Sequence, residues 1–483
     1  MVPRGHSAPN EASLVVVSNR LPYDLPGHGG AERPRRNVGG LVNALEPVLG
    51  KCGGTWIGWD GRILPNLAAV QAALGAPRAR TMGGVEYIGL PLSERELARY
   101  YHGYCNRVLW PLLHDFVGKV VFGAGDFEFY ERVNRRFAEI AARSAGPAGR
   151  VWVHDFHLLL VPGMLRELGF QGRIDFFLHV PFPPPELFRT LPQRERTLAS
   201  LLAADTLGFH IARYRDNFRA SAESLGLARG MPRDAGFLLA HERGRTSLLV
   251  APVGVDMESF DRLARDPAVV AKAARIRAAH GHRPIVFSAD RLDYTKGIRS
   301  RMLALERLLA DDPGSAGRFD LVQVVVPSRH QVEEYRQLKR DIDREVGRIN
   351  GEYGDAGWMP IHYRYRALER EDLVAHFLAA DVCLVTPLRD GFNLVAAEFV
   401  ASRPDDDGVL ICSEFAGVAE LLPGALLVNP YDMEAVARAI REALAMPRVQ
   451  RAGRKKRLRE AVRTLDASAW ADRCLNAESV VNL

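Results

Sequence analysis

Residues 382–398 read Val382-Cys-Leu-Val-Thr-Pro-Leu-Arg-Asp-Gly-Phe-Asn-Leu-Val-Ala-Ala-Glu398. The run Val382 to Thr386 has the length and β-branched content of a buried strand, and Asp390-Gly391 is a turn pair that opens a helical segment. Strand, turn and helix in that order build an anion site. The first N–H groups of the helix lack partners, its dipole adds positive charge, and Gly391 lets the backbone approach a ligand closely. Glu398, about two turns into the helix, faces the same ligand. A carboxylate suits a pair of sugar hydroxyls and a helix start suits a diphosphate, so the segment points to a nucleotide sugar. An ordinary βα turn has the same pattern, so the rest of the chain must decide.

At 483 residues the chain exceeds what one core serves, which predicts two domains. The formal charge of +6 is spread among interleaved acids and bases, and this mild excess suits phosphorylated small substrates. The denser run Arg454-Lys-Lys-Arg carries no aromatic residues between its charges, so it reads as a solvated helix face and no nucleic-acid partner is expected. Cysteines at 52, 105, 383, 412 and 474 show no CxxC pairing and an odd count, the usage of a reducing compartment. No apolar leader occupies residues 1–10 and no stretch reaches the ~18 apolar residues of a membrane span, so a cytoplasmic protein with no membrane partner is expected.

Ser13 to Ser18 reads as a strand, followed by a Gly/Pro/Arg-rich segment, Leu25 to Arg36, expected to be a mobile loop. Runs at Arg150–Val153 and Ile174–Val180 flank a helical stretch, Leu160–Leu168, as in a βαβ unit, and helices follow at Arg194–Ala204 and Ala212–Leu225. Past residue 250 the pattern restarts. Strands are predicted at Ile285–Ser288, Leu321–Val326, Val382–Thr386, Val409–Cys412 and Ala425–Val428. Apolar residues at 332, 335, 338, 342, 346 and 349 predict an amphipathic helix over 331–349. The fold class is therefore α/β in two successive halves, 1–250 and 251–483, with the boundary and a short strand in Leu249–Asp256.

Ligands of doubly wound sheets sit beyond the carboxyl ends of strands, so polar residues placed there come first. Arg20 follows the first strand, His154-Asp-Phe-His follows Val151-Trp-Val, and His179 closes Phe176-Phe-Leu. In the second half Arg291 and Lys296 follow Ile285–Ser288, and Arg329 follows Val324-Val-Val-Pro-Ser. Arg291 and Lys296, five apart around a turn ending in Gly297, form a diphosphate clamp, a bidentate fork and a point charge. His154 and His157 lack a third ligand at zinc spacing, so no metal site is assigned. His179 alone would read as a hydrogen-bonded core histidine.

Nine segments now stand in order: Ser18-Asn-Arg, Gly39-Gly40-Leu, Trp56-Ile-Gly-Trp59, Tyr100-Tyr101 with Leu109-Trp110-Pro, His154-Asp-Phe-His, Leu178-His-Val-Pro-Phe-Pro, Asp290-Arg-Leu-Asp-Tyr-Thr-Lys-Gly, Val346-Gly-Arg-Ile-Asn-Gly and Thr386-Pro-Leu-Arg-Asp-Gly-Phe-Asn-Leu. Together, over about residues 14–470, they resemble the trehalose-6-phosphate synthase family of retaining nucleotide-sugar glycosyltransferases, which also contains glucosylglycerol-phosphate synthase. The resemblance implies two facing Rossmann-like domains with the active site in the interdomain cleft, and a last helix packing back on the N-terminal domain. It implies that Arg291, Lys296 and the Gly391, Phe392, Asn393 and Leu394 backbone hold the diphosphate, and that Glu398 binds the ribose. Asp155, His179 and Asp390 would contact the donor glucose, and Gly40 would lie in the loop closing over it. Arg20 and Arg329 would clamp the acceptor phosphate, with Tyr101 and Trp110 completing that pocket. Phe392 stands where the family more often has Met, which leaves donor choice open, and the loop from Leu25 is longer than in compact members.

The activity so implied is transfer of glucose from a nucleotide diphosphate glucose, UDP-glucose first, to glucose 6-phosphate. The family is read as same-face substitution in which the departing phosphate takes the acceptor proton, with neither metal nor cofactor required. Glycerol 3-phosphate as acceptor and a non-catalytic sugar-phosphate sensor are the alternatives. No phosphatase-like segment follows residue 483, so the phosphorylated disaccharide is the expected product. Whether the chain forms a homo-oligomer is open.

Overall fold

The computed structural model describes residues 14–25, 35–36, 40–233, 236–329, 332–405 and 407–476. The chain forms two compact units, one taking it to Ala251 and again from Trp470, the other Pro252–Ala469.

The first unit contains β1 (Leu14–Arg20), β2 (Tyr23–Asp24), β3 (Arg35–Arg36), β4 (Gly54–Leu64), β5 (Arg78–Met82), β6 (Val85–Ser93), β7 (Arg150–His154), β8 (Arg173–Leu178), β9 (Thr206–Phe209), β10 (Arg229–Arg233), β11 (Gly236–His241) and β12 (Gly244–Val250). Its main sheet runs β10-β11-β12-β9-β8-β7-β1-β4-β6-β5. The stretch from β12 to β6 is parallel, while β5 at one end and β10 and β11 at the other pair antiparallel. Val15, Val16 and Val17 of β1 are fully buried, as expected for a central strand covered on both faces. The chain builds outward from β1 through β4 and β6, then returns to the other side of β1 with β7, β8 and β9. That reversal opens a crevice at the carboxyl ends of β1 and β7.

The second unit repeats the plan with β13 (Ile285–Arg291), β14 (Asp320–Val326), β15 (Ile361–Tyr365), β16 (Val382–Val385), β17 (Val409–Ser413) and β18 (Leu426–Val428) in the order β15-β14-β13-β16-β17-β18. All its pairings are parallel, and the reversal falls between β13 and β16. Its core joins Val286, Leu321 and Val382 of the sheet to Met302, Leu305 and Ile342 of the helices.

Several expectations shift. β13 runs on through Arg291, so this arginine ends the strand and is not in the loop after it. The predicted helix over 331–349 spans Glu333–Tyr353, and Asn350 Nδ2 closes its end on the Ile361 carbonyl at 2.9 Å. No strand forms at 251–256, because β12 ends at Val250. There a Cβ on Gly254 would lie 1.9 Å from the Leu465 carbonyl oxygen, so the approach of these two backbones requires glycine. Most of the loop expected from Leu25 falls at 26–34, outside the described residues, while its flanks pair as β2 and β3. Pattern reading also left out β4 to β6 and the helical run Glu94–Leu113, which is a π-helix over Leu97–Leu109. Among the described residues no helix is long and apolar enough to cross a membrane.

Candidate active site

In the second unit the residues at the β13/β16 reversal are built around one buried guanidinium. Arg301, 1% exposed, donates Nη1 to Asp290 Oδ2 and to Gln323 Oε1, each at 2.9 Å, Nε to Thr386 Oγ1 at 3.1 Å, and Nη2 to the Lys296 carbonyl at 3.1 Å. One side chain thus ties together β13, β14, the end of β16 and the loop carrying Lys296. Burial pushes the Asp290 carboxyl above its ordinary value, against the pull of Arg301 and Lys296. The same loop is stitched to the segment after β16 by the Leu388 N–H, which donates to the Thr295 carbonyl at 2.7 Å. Gly297, at φ +65, closes the turn where a Cβ would lie 2.6 Å from the Thr386 carbonyl oxygen.

On this frame the Lys296 ammonium meets Asp390 Oδ2 at 2.5 Å, and Asn393 Nδ2 donates to the same oxygen at 2.9 Å. Asn393, and not Gly391, carries the left-handed backbone, φ +79, from which the helix Leu394–Ala401 starts. Glu398 is therefore about one turn into the helix, closer to its start than the sequence suggested. Burial pushes its carboxyl up to about 7, opposed by the charge of Arg370. The turn is anchored from below, since the Asp390 N–H donates to the Phe415 carbonyl and the Gly417 N–H to the Asp390 carbonyl, both at 3.2 Å. Phe392 is 3% exposed, a core side chain beneath the turn. Arg291 stands exposed at the end of β13.

Arg329, at φ +48, is less available than the sequence suggested. Its side chain is 7% exposed, and Nη1 meets Asp293 Oδ2 at 3.1 Å and the Tyr335 hydroxyl. Asp293 also accepts the Thr295 N–H at 3.0 Å, so Arg329 is bound to the loop that carries Lys296. Burial would raise the Asp293 carboxyl, yet the Arg329 charge and the Thr295 N–H bring it below its ordinary value.

In the first unit, Asp155 follows β7 at φ +75, with its N–H on the Phe177 carbonyl at 2.9 Å and its Oδ1 accepting the His179 N–H at 3.3 Å. His154 Nδ1 and His179 Nε2 lie 3.1 Å apart, one donating to the other. Burial holds His154 down to about 3 and His179 well below its ordinary value, so both rings are neutral near pH 7. Trp470, fully buried, covers this pair with ring centroids 5.8 Å from His179 and 6.2 Å from His154.

Arg20 ends β1 with its guanidinium 4.6 Å over the Trp59 ring and 2.8 Å from Asp24 Oδ1. Ser18 receives the Trp56 indole N–H at 2.8 Å and donates to the Arg20 carbonyl at 2.9 Å, while Asn19 accepts the Tyr100 hydroxyl at 2.7 Å. Tyr101 stacks on His157 at 5.9 Å and meets Trp59 at 6.2 Å. Trp110 is 5% exposed and packs on Phe156 at 5.5 Å, so it supports the wall behind His157 and offers little surface. Gly40 begins the helix Gly40–Cys52, and residues 37–39 before it lie outside the described ones.

Sequence reasoning missed Arg301, Asp293 and the partnership of His154 with His179. A signal for Arg301 was present, since it interrupts the apolar stripe Ile298, Met302, Leu305 of its helix. His280, Asp320 and His362 were also missed, and among the described residues they alone bring three metal-ligand atoms within 4.8 Å of one another. Asp320 begins β14, at the opposite end from the reversal, and its oxygens already accept Arg283 at 3.1 and 3.2 Å and the Trp358 indole at 2.8 Å. The cluster therefore reads as a structural ion-pair network.

Each unit carries charged groups at the reversal of its sheet, and residues 12–478 match the model of glycosyltransferase family 20, which defines the class as a glycosyltransferase. The chain belongs to this family. It is 42% identical to the trehalose-6-phosphate synthase of Mycobacterium bovis over 97% of this chain and 94% of that one. It is also 42% identical to the bifunctional trehalose-6-phosphate synthase/phosphatase of Thermoproteus tenax, over 95% of this chain but 62% of that longer protein. Among solved structures, the alpha,alpha-trehalose-phosphate synthase (UDP-forming) of Burkholderia xenovorans in complex with glucose-6-phosphate superposes with a TM-score of 0.88, at 32% identity, over 96% of this chain and 99% of that one.

The Arg301 network makes a direct prediction. Arg301→Met leaves the Asp290 carboxyl buried without its cation and should cost about 3–5 kcal/mol. Urea unfolding followed by a probe in the second unit checks this. A loss under about 1 kcal/mol, the worth of a surface pair, would mean that the network contributes no more than a surface contact.

Proposed function

We propose that this protein transfers glucose from UDP-glucose to glucose 6-phosphate with retention at the anomeric carbon, forming trehalose 6-phosphate and UDP. The observation that carries the reading is Lys296 held on Asp390 beside Asn393, at the head of a helix whose frame Arg301 fixes. As the bond from the anomeric carbon to the diphosphate oxygen breaks, negative charge grows on the leaving group. Lys296, Arg291 and the unpaired N–H groups at the helix start supply fixed positive charge for it, and fixed charge costs no reorganisation during reaction. The acceptor hydroxyl attacks the same face, and its proton passes to the departing phosphate oxygen.

The Lys296–Asp390 pair adds a second point. A diphosphate competes for an ammonium that is already engaged, so donor binding frees Asp390 toward the sugar hydroxyls. Neutral His179 supplies a hydrogen bond without charge, and Asp155 accepts the His179 backbone N–H. Arg20 and Arg329 serve the acceptor phosphate, with Tyr101 as an aromatic wall and Trp110 as its support. The reading needs no metal or cofactor. Five free cysteines, four of them buried, suit a reducing cytoplasm.

Incubation with UDP-, GDP- and ADP-glucose, each against glucose 6-phosphate and glycerol 3-phosphate, tests the reading by product identification. Trehalose 6-phosphate formed fastest from UDP-glucose and glucose 6-phosphate is expected. Glucosylglycerol phosphate as main product, or no turnover with any pair, would contradict it.

Glu398 makes the pH dependence specific. Its folded carboxyl keeps a proton up to about 7, against 4.5 for the free group, so folding binds a proton in that window and the stability this group contributes falls as pH rises through it. Ribose hydroxyls donate best to the ionised form, so UDP binding releases that proton and UDP affinity should rise from pH 6 to 8. Calorimetry on Glu398→Gln should show the slope abolished. A slope retained in the variant would remove Glu398 from the nucleotide site.

A further inference from the structure

The second unit holds another basic hollow, of about 270 Å³, between the helix Pro267–Ala279, strand β15 and the helix Arg370–Ala379. Four cations, Lys272, Arg275, Arg364 and Arg366, line it against one carboxylate, Asp372. That carboxylate is already held by Lys272 at 2.6 Å. The hydrogen-bond partner of Arg364 is neutral, with Nη1 3.3 Å from His376 Nε2. His376 donates its Nδ1–H to the Asp372 carbonyl at 2.6 Å, which leaves Nε2 as a bare lone pair for the guanidinium. Burial and then the nearby Arg366 lower the Arg364 pKa, only partly offset by the pull of Asp372. Strand β15 is the sheet edge, two strands from β13, and His280 in the lining bonds Asp320 at the start of β14, so the hollow is separate from the donor clamp at the strand ends.

We propose that this hollow binds a compact polyvalent oxyanion at a second anion site, distinct from the donor clamp. Guanidinium groups bind phosphate or carboxylate oxygens in forked pairs, and three arginines converging on so small a volume suit a ligand of two or more negative charges. The oxyanion would occupy the place where Arg364 and Arg366 now share with Lys272 the single carboxylate of Asp372. Its occupancy is linked to the nucleotide site through one element, since the helix forming a wall begins at Arg370, the charge that acts on Glu398.

Calorimetric titration of the full chain with magnesium-free inorganic pyrophosphate tests this without any turnover. Beside binding at the acceptor-phosphate clamp, one event removed by Lys296→Ala and another weakened at least about tenfold by Arg364→Gln/Arg366→Gln are expected, the latter loss being the equivalent of one charge-assisted hydrogen bond. Arg275→Glu, at an exposed helix position that leaves the core untouched, should weaken the same second event and decides the matter if the double variant does not fold. Binding in which no event responds to the arginine substitutions would overturn the proposal.

Discussion

The buried guanidinium of Arg301 is the constraint on which the donor half depends. Arginine presents five N–H donors in a rigid fork, and here four of the contacts they make run to different elements, at Asp290, Gln323, Lys296 and Thr386. A fully buried ion pair is costly on desolvation and is weak evidence for stability by itself. Its effect here is positional. Because the same side chain holds the loop before Gly297 and the end of β16, Lys296 and Asp390 are brought within 2.5 Å although they stand far apart in sequence. A charge that must stabilise a leaving diphosphate is useful only when its position is set before the reaction begins.

Charge is distributed unequally between the two units, and the chemistry follows that division. In the second unit, cations are engaged by carboxylates, Lys296 by Asp390 and Arg329 by Asp293, so each ligand must exchange with an internal partner. In the first unit, burial keeps His154 and His179 neutral, so this pair adds hydrogen-bonding groups without adding charge. Trp470, coming from the far end of the chain, packs against both rings and is part of what buries them.

Much of this was legible in the sequence, for reasons that differ from residue to residue. Arg20, Asp155, His179, Arg291 and Asp390 were singled out because strand ends can be read from apolar runs, and the structure places each at or shortly after a strand end. Arg329 was found by the same rule, but its pairing with Asp293 was not, since that contact links the end of one strand to the loop after another. Asn393 was credited to backbone alone, whereas its left-handed conformation and its bond to Asp390 give it a side-chain role. Trp110 looked like a pocket wall because an aromatic residue near a site reads that way, while helix geometry turns it onto Phe156. Arg301 was overlooked because a charge on an apolar stripe resembles an ordinary exposed position until its four acceptors are assembled by the fold.

Arg301 should act on the reaction through the position of Lys296. A double-mutant cycle in kcat/KM between Arg301→Lys, which keeps the charge but loses the fork, and Lys296→Ala measures this coupling. Arg301→Lys should slow the wild-type enzyme about tenfold yet slow the Lys296→Ala enzyme little further, a coupling of about 1.4 kcal/mol. Two losses that simply add would show that the buried arginine serves the fold alone and would contradict the account.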